Sequence, residues 1–130
     1  MLRVYSCLAF LYLMQTGFAY ANTDCGIKTN PDHYRRCVER NASASSSYLR
    51  QTLGLLLHHI NVGDKKHTER QKAVSLLQRS FAAFEDFRRI HCTYEVSVAV
   101  HQNDTEELIR LRCESSLNYK YAKLLLEHLS

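Results

Sequence analysis

From Asn30 to Gly63 the apolar residues hold one helical register without interruption. Tyr34, Cys37, Val38, Tyr48, Leu49, Leu53, Leu56, Leu57 and Ile60 recur at the three- and four-residue steps that place side chains along one side of an α-helix. Asn30-Pro31-Asp32 supplies a start: an amide that can cap, a proline suited to the first turn, and an acid that complements the helix dipole. Gly63 supplies a stop. The stretch NASASSS, Asn41 to Ser47, is short of bulk. It reads either as a linker or as a place where small side chains admit a neighbouring helix. Because the register continues through it, the sequence favours one unbroken helix, and a helix this long needs long partners to cover its stripe.

Two such partners follow. Asp64 is placed to cap a second helix running to about His101, and Asn103-Asp104-Thr105-Glu106-Glu107 reads as a turn with a cap and first-turn acids. A third helix then carries Leu108, Ile109, Leu111, Leu117, Tyr121, Leu124, Leu125 and Leu129. On the second helix Ala73, Val74, Leu76, Leu77, Phe81, Phe84, Phe87, Cys92 and Tyr94 form one broad apolar face, with Phe81, Phe84 and Phe87 as its core aromatics. Short connections between long helices make antiparallel neighbours. With no Trp, one Pro and four Gly, the chain is poor in the turn residues that a β-sandwich needs. The expected fold is all-α, an antiparallel bundle of three long helices.

The first 21 residues stand apart. Arg3, the apolar run VYSCLAFLYLM and Ala19-Tyr20-Ala21 have the form of a secretory signal peptide, with cleavage expected after Ala21. Residues 22–130 then form a single domain, periplasmic or secreted. The apolar run is too short for a span, so no membrane insertion is expected after cleavage. Cys7 leaves with the signal, and Cys25, Cys37, Cys92 and Cys113 remain. In a small exported protein an even count means disulfides, and four cysteines allow three connectivities. The helix reading selects one. Cys92 lies 11 residues before Asn103 and Cys113 lies 10 after it, so a hairpin folded there sets them level. Cys25 and Cys37 likewise flank the turn at Asn30-Pro31. The pairs are therefore Cys25–Cys37 and Cys92–Cys113, each contributing on the order of 3 kcal/mol in the chain-entropy model. A metal centre is disfavoured: His91 and Cys92 are adjacent, about 100° apart on a helix, and neither CxxC nor HExxH is present. No cofactor is implied.

Removal of Arg3 from the 17 basic residues leaves 16 against 13 acidic ones, a net charge of +3 with the two signs interspersed. No basic run interleaves with aromatics, so nucleic acid is not an expected partner. No nucleophile elbow or unpaired cysteine accompanies the seven histidines, so an enzyme is the least favoured class. Arg88, His91 and Glu95 fall in the arc of the apolar stripe. An ionised Arg there must be paired or reach water. Glu95 lies one turn beyond His91 and two beyond Arg88, so the three can form a ladder, with Glu114 arriving from the third helix. A structural polar cluster is favoured over a target-binding patch. Asn41-Ala42-Ser43 and Asn103-Asp104-Thr105 are both glycosylation sequons, which keeps a eukaryotic secreted helical ligand open, although Asn41 sits in a helix.

The stretch LLQRSFAAFEDFRRIHC, the later RCESSLNYKYAKLLLEHL and the early cysteine pair resemble the LprI-type lysozyme-inhibitor family, small bacterial exported helical domains. Phe84 stands at the family's usual Trp, Phe87-Arg88 at its aromatic-Arg pair, and Cys92 four residues after the Arg. Cys113 matches the cysteine of the final helix, with Ala122 and Leu125 at its small and apolar positions. Phe81 replaces a usual Gln, and Ser46-Ser47-Tyr48-Leu49-Arg50 keeps only the Leu of an Asp-x-x-Leu-Asn segment. The resemblance implies a protein-binding module, in at least one branch an inhibitor of lysozyme; the alternative is a non-inhibitory structural protein of the envelope. A lysozyme-type cleft holds two carboxylates, which an exposed Arg, Lys or His can meet. Since many lysozymes are basic, a net +3 favours an acidic hydrolase as partner.

Overall fold

The computed structural model describes residues 24–26, 30–99 and 104–129. The signal segment and the sequon at Asn103 lie outside the described residues. Three helices follow in order: α1 (Pro31–Val62), α2 (His67–Val98) and α3 (Glu106–Leu126), the last closing in a 3-10 turn, Glu127–Leu129. Among the described residues there is no strand. Two disulfides, Cys25–Cys37 and Cys92–Cys113, join residues whose Cα atoms lie 5.7 and 5.6 Å apart.

Helix α1 begins as its sequence specifies. The Asn30 side-chain oxygen accepts from the His33 amide at 3.1 Å, with Pro31 in the first turn and Asp32 behind it. It runs unbroken through Asn41 to Ser47. Gly63 ends it with φ −69° and ψ 160°, an extended exit rather than a left-handed cap. Asp64 does not cap α2; Lys66 holds that position without a side-chain bond. The connection is held instead by Arg70, whose guanidinium donates to the carbonyls of Lys65 at 2.9 Å and Gly63 at 3.4 Å. Helix α2 stops at Val98, short of the expected His101. At α3 the cap is Thr105, whose hydroxyl accepts from the Leu108 amide at 3.3 Å, with Glu106 and Glu107 in the first turn.

Helix α3 is the spine. It packs along α1 over most of its length and against α2 over less, while α1 and α2 meet at few points. The core is therefore built on the α1–α3 seam and has two apolar parts. Leu49, Leu56, Ala122 and Leu125 form one, covered by Tyr48, Leu53, Leu77, Phe81, Phe84, Tyr121 and Leu129. Tyr34, Val38 and Leu108 form the other, beside Cys25 and Leu111. Burial raises the Tyr48 phenol above its ordinary value, and Tyr119, stacked on it at 5.6 Å, adds to the effect.

Between the two parts lies a polar layer. Ser45 (0% exposed), Asn118 (2%) and Ser115 (9%) are buried together. Ser45 donates to the Ala42 carbonyl at 2.9 Å, and Ser115 donates to the Asn41 carbonyl at 3.2 Å. The Asn118 amide donates to the hydroxyls of Ser45 and Ser46, both at 3.3 Å. The small side chains of Asn41 to Ser47 thus bring α3 close to α1, and each polar group brought inside has a partner, as burial requires.

The broad apolar face of α2 is two faces. At about 100° per residue, Leu77, Phe81, Phe84, Arg88 and Cys92 centre roughly 120° away from Leu76, Phe87, Ile90 and Tyr94. The first set turns toward α3. The second turns to solvent, so Phe87, expected in the core, is 53% exposed. Phe81 and Phe84 are half-buried against the α1–α3 core.

Candidate functional site

Both disulfides sit at the end of the molecule where α1 and α3 begin and α2 finishes. Cys25–Cys37 ties the segment before α1 back onto that helix, and Cys92–Cys113 ties the last turns of α2 to α3. The Asn41 amide donates toward the Cys25 sulfur at 3.4 Å, and Tyr34, Val38 and Leu108 pack beneath. Asn41 is thereby half-buried and engaged at both its side chain and its carbonyl.

Between these staples an open recess of about 710 Å³ runs from Cys25 and Tyr34 to Cys113 and Ser116. Its lining carries both signs: Asp24, Glu95 and Asp104, with His91, Arg112 and Lys120. Arg112 reaches back to Asp104 at 3.1 Å, and His91 faces Glu95 at 3.5 Å. The lining suits a polar macromolecular surface better than an apolar small molecule. Among the described residues no group of three or more His, Cys, Asp or Glu is placed to hold a metal ion.

The expected ladder of Arg88, His91 and Glu95 is divided. His91 and Glu95 pair on the recess side, with His91 stacked against Phe87 at 5.2 Å. Arg88 turns instead to the polar layer. Its guanidinium donates to the Asn118 side-chain oxygen, lies 3.5 Å from Glu85, and sits over the Phe84 ring at 5.6 Å. Phe84 is also stacked on Tyr121 at 4.1 Å. Glu114 does not meet the arginine; it lines a shallow groove with Glu39 and Ser46 between α1 and α3. Asn118 is the residue that sequence reasoning missed. Its position within the third helix's apolar register was the available signal, since an amide there must find partners inside.

The fold and this end of it define a small helical domain stiffened by two disulfides. The chain belongs to the family described as Lysozyme inhibitor LprI, whose model matches residues 25–125. That span takes in both disulfides and nearly all of the three helices. No curated protein and no solved structure matches the chain. Among the described residues no helix is long and apolar enough to cross a membrane.

Proposed function

We propose that this protein is exported by cleavage after Ala21 and, as residues 22–130, binds and blocks a lysozyme-type cell-wall hydrolase through its stapled end. The observation that carries the reading is the placement of both disulfides around one polar recess, in a chain of a lysozyme-inhibitor family. Covalent ties at one end remove motion that binding would otherwise have to quench, which is the general route by which preorganisation raises affinity. The cations of the lining, Arg112 and Lys120, suit the paired carboxylates of a hydrolase cleft. Binding rather than catalysis accords with the inhibitor family.

The test is a cell-wall lysis assay. The oxidised exported chain is titrated into a panel of lysozyme-type hydrolases, basic and acidic. Saturable inhibition of at least one, lost when the disulfides are reduced and alkylated, is expected. Full activity of every hydrolase at a large molar excess of the protein, with no complex on a sizing column, would overturn the reading.

A further inference from the structure

Helix α2 presents a straight apolar line to solvent. Leu76, Phe87, Ile90, Tyr94 and Val98 are 52, 53, 61, 57 and 53% exposed, with Ala83 exposed between them. At about 100° per residue all six fall within roughly 80° of arc. Ionisable residues, Arg79 on one side and His91 on the other, flank the line without entering it. The opposite side of α2 is already occupied by α3, and α1 hardly reaches the helix. We propose that this face is the interface with a second copy of the chain, α2 against α2, antiparallel about a two-fold axis at Phe87. The proposal is independent of the hydrolase-binding reading.

Two features choose a second copy as the occupant. The first is self-complementarity. Phe87 is the midpoint of the line, with Leu76 eleven residues before it and Val98 eleven after. Bulk lies in the C-terminal half, at Ile90 and Tyr94, and small residues in the N-terminal half, at Ser80 and Ala83. The Ser80 hydroxyl is already turned away, to the Tyr121 hydroxyl at 2.9 Å. An antiparallel two-fold at Phe87 sets Tyr94 over Ser80 of the second copy, Ile90 beside its Ala83, and Val98 beside its Leu76. Large meets small in the layers on either side of the central Phe87 pair, which suits close helix packing at about 8–10 Å. A parallel pairing would set Tyr94 on Tyr94 and Ala83 on Ala83, a clash followed by a void.

The second feature is extent. From Leu76 to Val98 the line is about 33 Å long at a rise of 1.5 Å per residue. Half-exposed Phe87 and Tyr94 each offer on the order of 100 Å². With the three aliphatic residues and the stem of Arg79, pairing removes roughly 1,000 Å² in total, about the area that a specific interface must clear.

The experiment is a mass measurement by light scattering after size exclusion, on the oxidised exported chain at tens of micromolar. A mass twice that of the monomer is expected. Phe87→Asp combined with Ile90→Asp should return the monomer mass while its helical circular dichroism stays at the parental level. Phe87→Cys should cross-link to itself under mild oxidation, because the two-fold places it against its own copy, whereas Val98→Cys alone should not. A monomer mass at every concentration overturns the proposal, as does a dimer that survives the paired aspartates. So does vesicle or foreign-protein binding by a chain that stays monomeric. The readout is mass rather than inhibition, so it stands apart from the lysis assay.

Discussion

Arg88 occupies a position where the sequence leaves a charge inside an apolar arc, and its neighbours explain how it is kept there. The guanidinium has a buried neutral amide oxygen, a half-exposed carboxylate and a ring face as partners. None of these is a buried countercharge. Truncation therefore leaves one amide acceptor unpaired rather than an isolated charge. Arg88→Ala should cost about 1–2 kcal/mol, below the roughly 3–5 kcal/mol of a broken buried ion pair. Arg88→Lys should recover only part of this, because an ammonium does not reproduce a planar fork that bonds Asn118 while lying over Phe84. Urea unfolding of both variants at unchanged slope is the measurement; a parental midpoint for the alanine variant would remove Arg88 from the structural layer. The need for a partner was legible in the sequence. Its identity was not, because Asn118 and Arg88 are brought together only by the relative register of two helices.

Among its described residues α2 buries one side chain, Cys92. The rest of its attachment is half-buried: Leu77, Phe81 and Phe84 against the α1–α3 core. The Cys92–Cys113 bond therefore holds α2 in place to a degree that Cys25–Cys37, which ties down a short segment, does not hold α1. Replacing Cys92 and Cys113 by alanine should cost on the order of 3 kcal/mol. It should also speed amide exchange across α2 before α1 and α3, since weakly buried elements open first. Hydrogen exchange followed by mass spectrometry resolves the helices, and uniform acceleration of all three would show that the staple supports the whole domain instead. The cysteine pairing was readable because a hairpin turn fixes which positions are level. The split of α2 into two apolar faces was also encoded, in the angle between Phe84 and Phe87. A broad arc on one helix does not reveal that its neighbour is too narrow to cover it. The cap at Asp64 failed for a local reason: Arg70 closes the connection from the other side by gathering its free carbonyls.

At the scale of the molecule a single net charge describes the field poorly. Among the described residues the stapled end carries Asp24, Asp32, Glu39, Glu95, Asp104, Glu106, Glu107 and Glu114 against Arg35, Arg36, Arg40, Arg110, Arg112 and Lys120. The far end carries Lys65, Lys66, Arg70, Lys72 and Lys123 against Asp64, Glu69 and Glu127. The chain is thus polarised, acidic where the recess lies and basic at the opposite pole. The net +3 therefore hides a small acidic excess at the stapled end. If that end docks on a basic lysozyme, Glu106→Lys with Glu107→Lys should slow association about tenfold at low salt, within the range of electrostatic steering. Lys65→Glu with Lys66→Glu, at the far pole, should change the rate by less than a factor of about two. Both glutamates are exposed and stand in the first turn of α3, where each stabilises the helix by about 0.3–1 kcal/mol, so the variant should melt slightly lower yet stay folded. Near 1 M salt, where the Debye length is about 3 Å, the two variants and the parent should converge. Stopped-flow association rates across a salt series give the comparison. Equal effects from the two poles, or a rate indifferent to salt, would mean that the stapled end is not the surface that meets the enzyme.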